Sequence, residues 1–262
     1  REAARVALTE QQVNENIKSW KEQIQKVLDL TGDNRAMIKR NSQWLAKLSF
    51  KDVLRLASNF TVQHMIERDM FERRLKEQKP IYLHEFLYPL MQGYDSVFMD
   101  VDVEIGGTDQ TFNMLAGRTL QRRYNNKEKF VITTTLLQNP KTGEKLMSKS
   151  AGSYIALNDS PAIMFGKTMA LPDEAIRQVL VDCTKMSLSE IDLLLEKIEN
   201  GSLNPKDAKM RLAKEIVSLY HSPVTAVEAE KNFVKAFVEG GAPDDVREVS
   251  VKGNELLADV LV

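Results

Sequence analysis

The chain of 262 residues carries 36 Lys and Arg against 37 Asp and Glu, with three His and one Cys. Its net charge of −1 excludes a global positive field for nucleic acid, so any RNA contact requires a local basic patch. The single cysteine, Cys183, excludes a disulfide framework and a cysteine zinc cluster, and the isolated histidines lack metal-ligand spacing. No apolar run approaches the roughly 20 residues of a membrane span, so we expect no membrane partner. The single cysteine fits a reducing compartment, and we expect a cytoplasmic protein without a tightly bound metal ion.

The N-terminal region predicts a helix and a strand. Thr9 and Gln12 form a capping box before apolar residues spaced three and four apart, which predicts an amphipathic helix ending near Gly32. Residues 35–40 (RAMIKR) predict a short strand. Because the sequence does not begin with methionine, we expect it to start within a longer protein.

Helical patterns continue as far as residue 99. Ser49 and Asp52 form a second capping box that opens another helix, and residues 61–77 predict one charged helix. Residues 82–99 (YLHEFLYPLMQGYDSVFM) are apolar around most of a helical circumference, which predicts a buried helix.

Strand and helix patterns alternate in the next segment. DVEI (102–105) predicts a strand, GGTDQ (106–110) a loop, and residues 111–124 a helix. The β-branched residues of KFVITTTLL (129–137) predict a central strand. This alternation predicts an α/β layer with a parallel sheet.

After Leu157 the patterns predict only helices. Prolines stand where first helical turns begin and glycines where helices should end: Pro161, Pro172, Pro205, Pro223, Gly201 and Gly240. Ser187 and Glu190 form a further capping box. We therefore expect a helical bundle to follow the α/β layer, with the boundary near Asn158.

Three polar side chains share one face of the helix predicted over 82–99. Tyr88, Gln92 and Asp95 have the spacing i, i+4, i+7. A phenol, an amide and a carboxylate within an apolar helix are costly unless they are satisfied. They form either a buried structural hydrogen-bond network or the wall of a pocket for a small polar ligand, and the residues leave both interpretations open.

The GGTDQ loop lies between a strand and a helix, and ligands of open α/β sheets bind outside the carboxyl ends of the strands. Gly106 and Gly107 allow a ligand to approach the backbone. Asp109 can accept from a ribose hydroxyl, and Gln110 can bond a carbonyl group. The alternative is an N-capping turn with Asp109 as the cap.

The stretch TGEKLMSKSAG (142–152) predicts a loop with glycine pivots. Ser148, Lys149 and Ser150 offer two hydroxyls and an ammonium group, which suit phosphate oxygens and developing negative charge. A basic surface loop without a ligand is the alternative interpretation.

These motifs together resemble those of a known family. MSKS (147–150) downstream of IGGTDQ (105–110) resembles the signature of class I aminoacyl-tRNA synthetases. FLYPLMQGYD (86–95) resembles the tyrosyl-tRNA synthetase version of that class, and residues 164–174 and 204–217 resemble the helical domain of one bacterial branch. The resemblance implies a partial Rossmann-like parallel sheet with flanking helices, followed by an all-α bundle.

The resemblance also implies a domain order. Residues 1–140 would be the C-terminal part of the Rossmann-like catalytic domain, 141–158 the loop and linker, 159–245 a helical domain that binds the anticodon arm, and 246–262 a connector. No His-x-Gly-His motif occurs. We therefore expect that the chain lacks the segment with that motif and a C-terminal RNA-binding domain, and that it is incomplete for catalysis.

By the same resemblance, a homodimer would activate tyrosine with ATP and Mg2+ and transfer it to tRNA(Tyr). The implied tyrosine-binding residues are Tyr88, Gln92, Asp95 and Gln110. The implied ATP- and adenylate-binding residues are Gly106, Gly107, Asp109, Met147 and Lys149, and the catalytic loop residues are Lys149, Ser148 and Ser150. Two positions depart from the family pattern: Leu146 stands where the signature has its first lysine, and Glu104 replaces a frequent glutamine.

Basic residues on the helix predicted from Pro205 form a candidate RNA contact: Lys206, Lys209, Arg211 and Lys214. They could meet tRNA phosphates near the anticodon arm, or they could form an ordinary solvated face. Two other functions stay open, a tryptophanyl enzyme and a non-catalytic RNA-binding relative. The first would not place tyrosine, glutamine and aspartate at this spacing.

Overall fold

The computed structural model describes residues 8–147 and 154–238. These residues form two compact units. One unit is the continuous stretch 37–136, and the other combines 8–36 with the described residues after 136. The domain boundaries predicted from the sequence stay predictions.

The first described segment contains two short helices, α1 (Glu10–Lys18) and α2 (Trp20–Ile24). The predicted capping box is confirmed, since Thr9 Oγ1 accepts from the Gln12 backbone N–H and the Gln12 side chain accepts from the Thr9 N–H. The helix was predicted to reach Gly32, and this is wrong. Asp29 instead accepts from the backbone N–H groups of Thr31 and Gly32, a local turn that competes with helix continuation.

The unit 37–136 contains six α-helices and two strands in its described residues. The helices are α3 (Ser42–Leu45), α4 (Phe50–Ala57), α5 (Val62–Ile66), α6 (Asp69–Lys76), α7 (Leu87–Phe98) and α8 (Thr111–Asn125), and the strands are β1 (Val103–Gly107) and β2 (Phe130–Thr134). Ser49 and Asp52 cap α4 as predicted. Residues 35–40 form no strand, because no neighbouring strand supplies the backbone partners that a strand requires.

The two strands form a parallel sheet, with Val103 opposite Phe130 and Gly107 opposite Thr134. Helix α8 connects them, so β1, α8 and β2 make the predicted strand–helix–strand unit. The predicted central position of β2 is wrong for the described residues, where its one partner is β1. Phe130 and Ile132 of β2 are exposed.

The predicted helix over 61–77 is two helices. Arg68 adopts an extended conformation (φ −64°, ψ 122°) between α5 and α6. The break allows Met65 of α5 and Phe71 of α6 both to be buried.

Helix α7 is less buried than its composition predicts. Tyr88 is 57% exposed, whereas Pro89, Leu90, Gly93 and Ser96 are buried. Its buried side packs on α8 at a glycine contact, where a Cβ on Gly93 would lie 3.2 Å from the Gly117 backbone nitrogen. This close approach fixes the distance between the polar side chains of the two helices.

The second unit is helical, and residues 154–238 contain no strand, as predicted. Its helices are α9 (Pro161–Met169), α10 (Ile176–Cys183), α11 (Leu188–Glu199), α12 (Pro205–Tyr220) and α13 (Pro223–Phe237). Prolines occupy the first turns of α9, α12 and α13, and Gly201 follows α11 with φ +74°. Phe165, Leu180 and Leu212 are fully buried in its core. Gly240 lies outside the described residues.

None of the helices in the described part of the chain is long and apolar enough to cross a membrane.

Candidate functional site

The candidate site lies in the unit 37–136, where α7, α8 and the end of β1 meet. Helix α7 carries Gln92 and Asp95, and β1 carries Glu104. A 3-10 turn, Thr108–Gln110, joins β1 to α8 and carries Gln110. These elements bring together side chains that are distant in the sequence.

A chain of three side-chain amides crosses this junction. Gln92 Nε2 donates to Glu104 Oε1 at 3.0 Å. Asn113 Nδ2, on α8, donates to Gln92 Oε1 at 3.0 Å and to Gln110 Oε1 at 3.1 Å. The structure therefore joins two of the predicted tyrosine-binding residues, Gln92 and Gln110, through a residue that the sequence reasoning missed.

Asn113 is 1% exposed, and its Oδ1 atom is a buried side-chain oxygen without a hydrogen-bond donor in the described residues. A buried acceptor of this kind costs about 1–3 kcal/mol when it stays unpaired. A signal for Asn113 existed in the sequence, because a polar residue at the third position of an otherwise apolar helix start (TFNML) requires a partner.

A buried lysine lies behind the amides. Lys129 Nζ is ion-paired with Glu104 and also donates to Ser96 Oγ at 2.8 Å and to the Met114 carbonyl at 3.1 Å. The side chain is fully buried, and this burial lowers the pKa of Lys129 while Glu104 acts in the opposite direction. The sequence reasoning missed Lys129, because nothing local shows that a lysine at the start of a strand turns inward.

Asp95 lies one turn further along α7. Its Oδ1 accepts from the Trp44 indole Nε1 at 2.7 Å, and its Oδ2 accepts from Asn41 Nδ2 at 3.3 Å. Burial raises the pKa of Asp95, and the two hydrogen bonds oppose that rise. A carboxylate has about four lone-pair positions, so Asp95 retains capacity to accept from a ligand hydroxyl.

Arg68, a residue not singled out from the sequence, lies near both Tyr88 and Asp109. Burial lowers the pKa of Arg68, whereas Tyr88, Glu85 and Asp109 act in the opposite direction. Both predicted site residues therefore lie within electrostatic reach of one guanidinium group. Neither the turn nor α8 shows a side-chain cap, so the alternative interpretation of Asp109 as an N-cap is wrong.

Both glycines of the GGTDQ segment lie in crowded surroundings, Gly107 against Asp109 and Gly106 against Met114. A Cβ on Gly107 would lie 2.8 Å from Asp109 Oδ1 and 2.9 Å from Leu136 Cδ2. A Cβ on Gly106 would lie 3.0 Å from Met114 Sδ. Any side chain at Gly107 would displace the carboxylate, so this position requires glycine for lack of room rather than for an unusual backbone angle.

The loop predicted over residues 142–152 lies only partly within the described residues. Ser148, Lys149 and Ser150 lie outside the described residues. Leu146 is buried in the core of the helical unit, and Met147 packs against that core. Leu146 therefore has a packing role where the family signature has a lysine.

The four basic residues of α12 differ in their surroundings. Lys206 and Arg211 are exposed. Lys209 is ion-paired with Asp173 at 2.8 Å, and Lys214 with Glu230 at 2.7 Å. Two of the four predicted RNA contacts are thus engaged within the protein.

The chain combines an α/β unit, which carries the polar side chains of the candidate site, with a helical unit. This combination indicates a class of protein. The family model described as tRNA synthetases class I (W and Y) matches residues 1–238, and the chain belongs to this family. The curated relatives that it resembles are tyrosine–tRNA ligases. That of Carboxydothermus hydrogenoformans is 47% identical over 95% of this chain and 60% of its own length, and that of Haemophilus influenzae is 44% identical over 99% and 63%. The chain thus spans about three-fifths of their length.

Solved structures share the fold. A C-terminally truncated mitochondrial tyrosyl-tRNA synthetase from Aspergillus nidulans superposes with a TM-score of 0.65 at 24% identity, covering 90% of this chain and 72% of its own. The tyrosyl-tRNA synthetase from Archaeoglobus fulgidus, complexed with L-tyrosine, gives 0.59 at 22% identity, covering 82% and 73%.

Proposed function

We propose that the protein is a tyrosine–tRNA ligase, which activates tyrosine with ATP and transfers the tyrosyl group to tRNA(Tyr). The observation that carries this proposal is the set of polar groups between α7 and α8: two glutamines joined by Asn113, with Asp95 one turn from Gln92. The names of the curated relatives support the same substrate.

Each end of a tyrosine molecule has a partner in this proposal. Asp95 accepts from the phenol hydroxyl, Tyr88 and Gln92 bind the ammonium group, and Gln110 bonds the carboxylate. A phenylalanine in the same position would leave the half-buried Asp95 carboxylate without that donor, which costs free energy. The site thereby selects the amino acid that carries the hydroxyl.

The chemistry requires positioning and charge stabilisation rather than a protein nucleophile. A tyrosine carboxylate oxygen attacks the α-phosphorus of ATP, the bond to the β-phosphate bridge oxygen breaks, and magnesium pyrophosphate leaves. Asp109, with Gly106 and Gly107 beside it, holds the ribose of the adenylate. By the resemblance, binding of the adenylate and of the departing phosphates falls to Met147, Ser148, Lys149 and Ser150, because a positive group stabilises developing charge.

The second step releases AMP. A terminal ribose hydroxyl of the tRNA attacks the tyrosyl carbonyl, and the bond to the phosphate oxygen breaks. Lys206 and Arg211 on α12 contact tRNA phosphates, with Lys209 and Lys214 beside them. The proposed working form is a cytoplasmic homodimer, as the resemblance to tyrosyl-tRNA synthetases implies.

Charging of tRNA(Tyr) tests the proposal. The complete gene product should attach tyrosine to tRNA(Tyr) and should leave phenylalanine and tryptophan uncharged. Charging of tRNA with tryptophan would instead support the tryptophanyl alternative, and RNA binding without charging of any amino acid would support the non-catalytic one.

A further inference from the structure

The side chains of Gln92, Asn113 and Gln110 are joined by hydrogen bonds (the amide chain), and each amide has one end that can donate and one that can accept. Glu104 fixes which end of each amide faces its neighbour. An ionised carboxylate accepts hydrogen bonds and cannot donate them. Gln92 must therefore turn its NH2 group towards Glu104, as it does at 3.0 Å. Its Oε1 atom consequently faces Asn113.

The direction passes to Gln110. Because Gln92 Oε1 is an acceptor, Asn113 must present its NH2 group, and the second N–H of that group donates to Gln110 Oε1. Gln110 has then used its oxygen on the protein side. Its NH2 group has no acceptor among the described residues, and Gln110 is partly exposed.

Lys129 holds Glu104, the carboxylate at which the amide chain begins. Its buried ammonium group pairs with Glu104 and also contacts Ser96 and the Met114 carbonyl. Space for this group exists because residue 117 is glycine: a Cβ there would collide with Lys129 Nζ and would lie 2.8 Å from Ser96 Oγ. Glu104 thus has a cationic partner that holds its carboxylate in place as the acceptor for Gln92.

We infer that Glu104 and Lys129 are positioning residues that orient the amides of Gln92, Asn113 and Gln110, so that Gln110 presents its NH2 group to the substrate carboxylate. The inference rests on the proposed function, since it takes the tyrosine carboxylate as the acceptor. It also gives Glu104 a task at the position where the family frequently has glutamine. A glutamine can bond Gln92 through either end of its amide and would not impose the direction.

A purely structural network between α7 and α8 is the competing explanation. It would weaken every ligand equally when disturbed, because only the packing of the two helices would change. If the network instead orients Gln110, disturbing it should lower affinity only for ligands that carry a carboxylate. Tyramine, which is tyrosine without its carboxylate, separates the two explanations.

The experiment measures L-tyrosine and tyramine binding by calorimetry in the complete gene product and two variants. Glu104→Gln lets the Gln92 and Gln110 amides reverse. Asn113→Leu removes the central amide, keeps the Lys129–Glu104 pair, and replaces a partly unsatisfied buried amide with an apolar side chain of similar size, so it should fold. In both variants tyrosine affinity should fall about 10-fold or more, as expected for a lost hydrogen bond to a charged group, and tyramine affinity should fall by less than about 3-fold.

Gln121→Leu is the matched control. Gln121 is another buried amide on α8, and it donates to Asp100 Oδ1 and the Val101 carbonyl, both at 3.1 Å, without contact to the amide chain. Its loss should lower stability and leave the ratio of tyrosine to tyramine affinity unchanged.

The outcomes are distinct. A selective loss of tyrosine affinity in both variants supports the inference. Equal losses for the two ligands, or no loss in Asn113→Leu, would overturn it while wild-type tyrosine binding leaves the proposed function standing. If the wild-type protein binds no tyrosine, the proposed function fails and this inference fails with it.

Discussion

The indole N–H of Trp44 donates a hydrogen bond of 2.7 Å to the carboxylate of Asp95, which ties the short helix α3 to the proposed substrate wall on α7. Trp44 is 4% exposed, and its ring stacks on Phe98 with centroids 4.6 Å apart. The residue proposed to recognise the tyrosine hydroxyl is therefore held by a buried aromatic side chain from another part of the fold.

We predict that Trp44→Phe lowers the free energy of unfolding by about 1–3 kcal/mol. The ring contact is largely kept, but the half-buried carboxylate loses a donor. Urea unfolding measures the change. Trp20→Phe is the control, because Trp20 is 48% exposed and should show little change. Equal stabilities for Trp44→Phe and the wild-type protein would contradict the assignment of this hydrogen bond.

Asp95 should make stability depend on pH in a specific direction. Because burial raises its folded-state pKa above the ordinary value of 3.8, its contribution is fully present below pH 3.8 and is lost as the pH rises through the folded-state pKa. Asp95→Asn should remove this dependence and leave stability at pH 7 equal to or above that of the wild type. Tyrosine binding should weaken at the same time.

Urea unfolding of Asp95→Asn and the wild type between pH 3 and pH 7 measures the first effect, and calorimetric titration with tyrosine measures the second. A variant that is clearly less stable at pH 7 would show that the ionised carboxylate is favourable in the fold, against the stated pKa direction.

The Arg74–Glu85 pair should make stability depend on pH with the opposite sign to Asp95. Arg74 donates to both carboxylate oxygens of Glu85, and this pairing lowers the pKa of Glu85 from 4.5 to about 2. The stabilisation is present above pH 4.5 and is lost as the pH falls through about 2. Glu85→Gln should therefore cost about 1–3 kcal/mol at pH 7 and progressively less in acid.

Glu72→Gln provides the comparison for Glu85→Gln. Glu72 pairs with Lys76 on the surface, with side-chain exposures of 54% and 73%, and such an exposed pair contributes little to stability. If unfolding measurements gave the two variants the same loss at pH 7, the special role of the Arg74–Glu85 pair would be refuted.

The basic residues of α12 should divide into two groups. The double variant Lys206→Glu and Arg211→Glu should weaken tRNA binding and flatten its dependence on salt. The reason is that each cation that pairs with a phosphate releases counterions from the RNA. Lys214→Gln should mainly affect folding stability, since Lys214 is paired with Glu230. Filter binding over a salt series checks the division, and unchanged tRNA affinity in the double variant would identify this face as ordinary surface.

The sequence predicts those features that depend on neighbours along the chain. The capping boxes at Thr9, Ser49 and Ser187 and the strand–helix–strand order around GGTDQ are confirmed. Residues 35–40 predict a strand from composition alone, and the prediction fails because strand formation depends on a distant partner.

The polar interior of the site escaped prediction for the same reason. Lys129 and Glu104 are 25 positions apart, and Trp44 and Asp95 are 51 apart. The pairing of β1 with β2 brings Glu104 close to Lys129, and the contact of α3 with α7 brings Trp44 to Asp95. The hydrogen bonds from Asn113 to Gln92 and Gln110 likewise depend on the tertiary structure, and residue spacing along the sequence does not predict them.

The central claim is that this protein activates tyrosine, and tyrosine-dependent exchange of pyrophosphate into ATP tests it most directly. The complete gene product should incorporate labelled pyrophosphate into ATP when tyrosine is present, and Asp95→Asn should reduce the rate. Exchange that is absent with tyrosine, or that proceeds equally well with phenylalanine or tryptophan, would contradict the account.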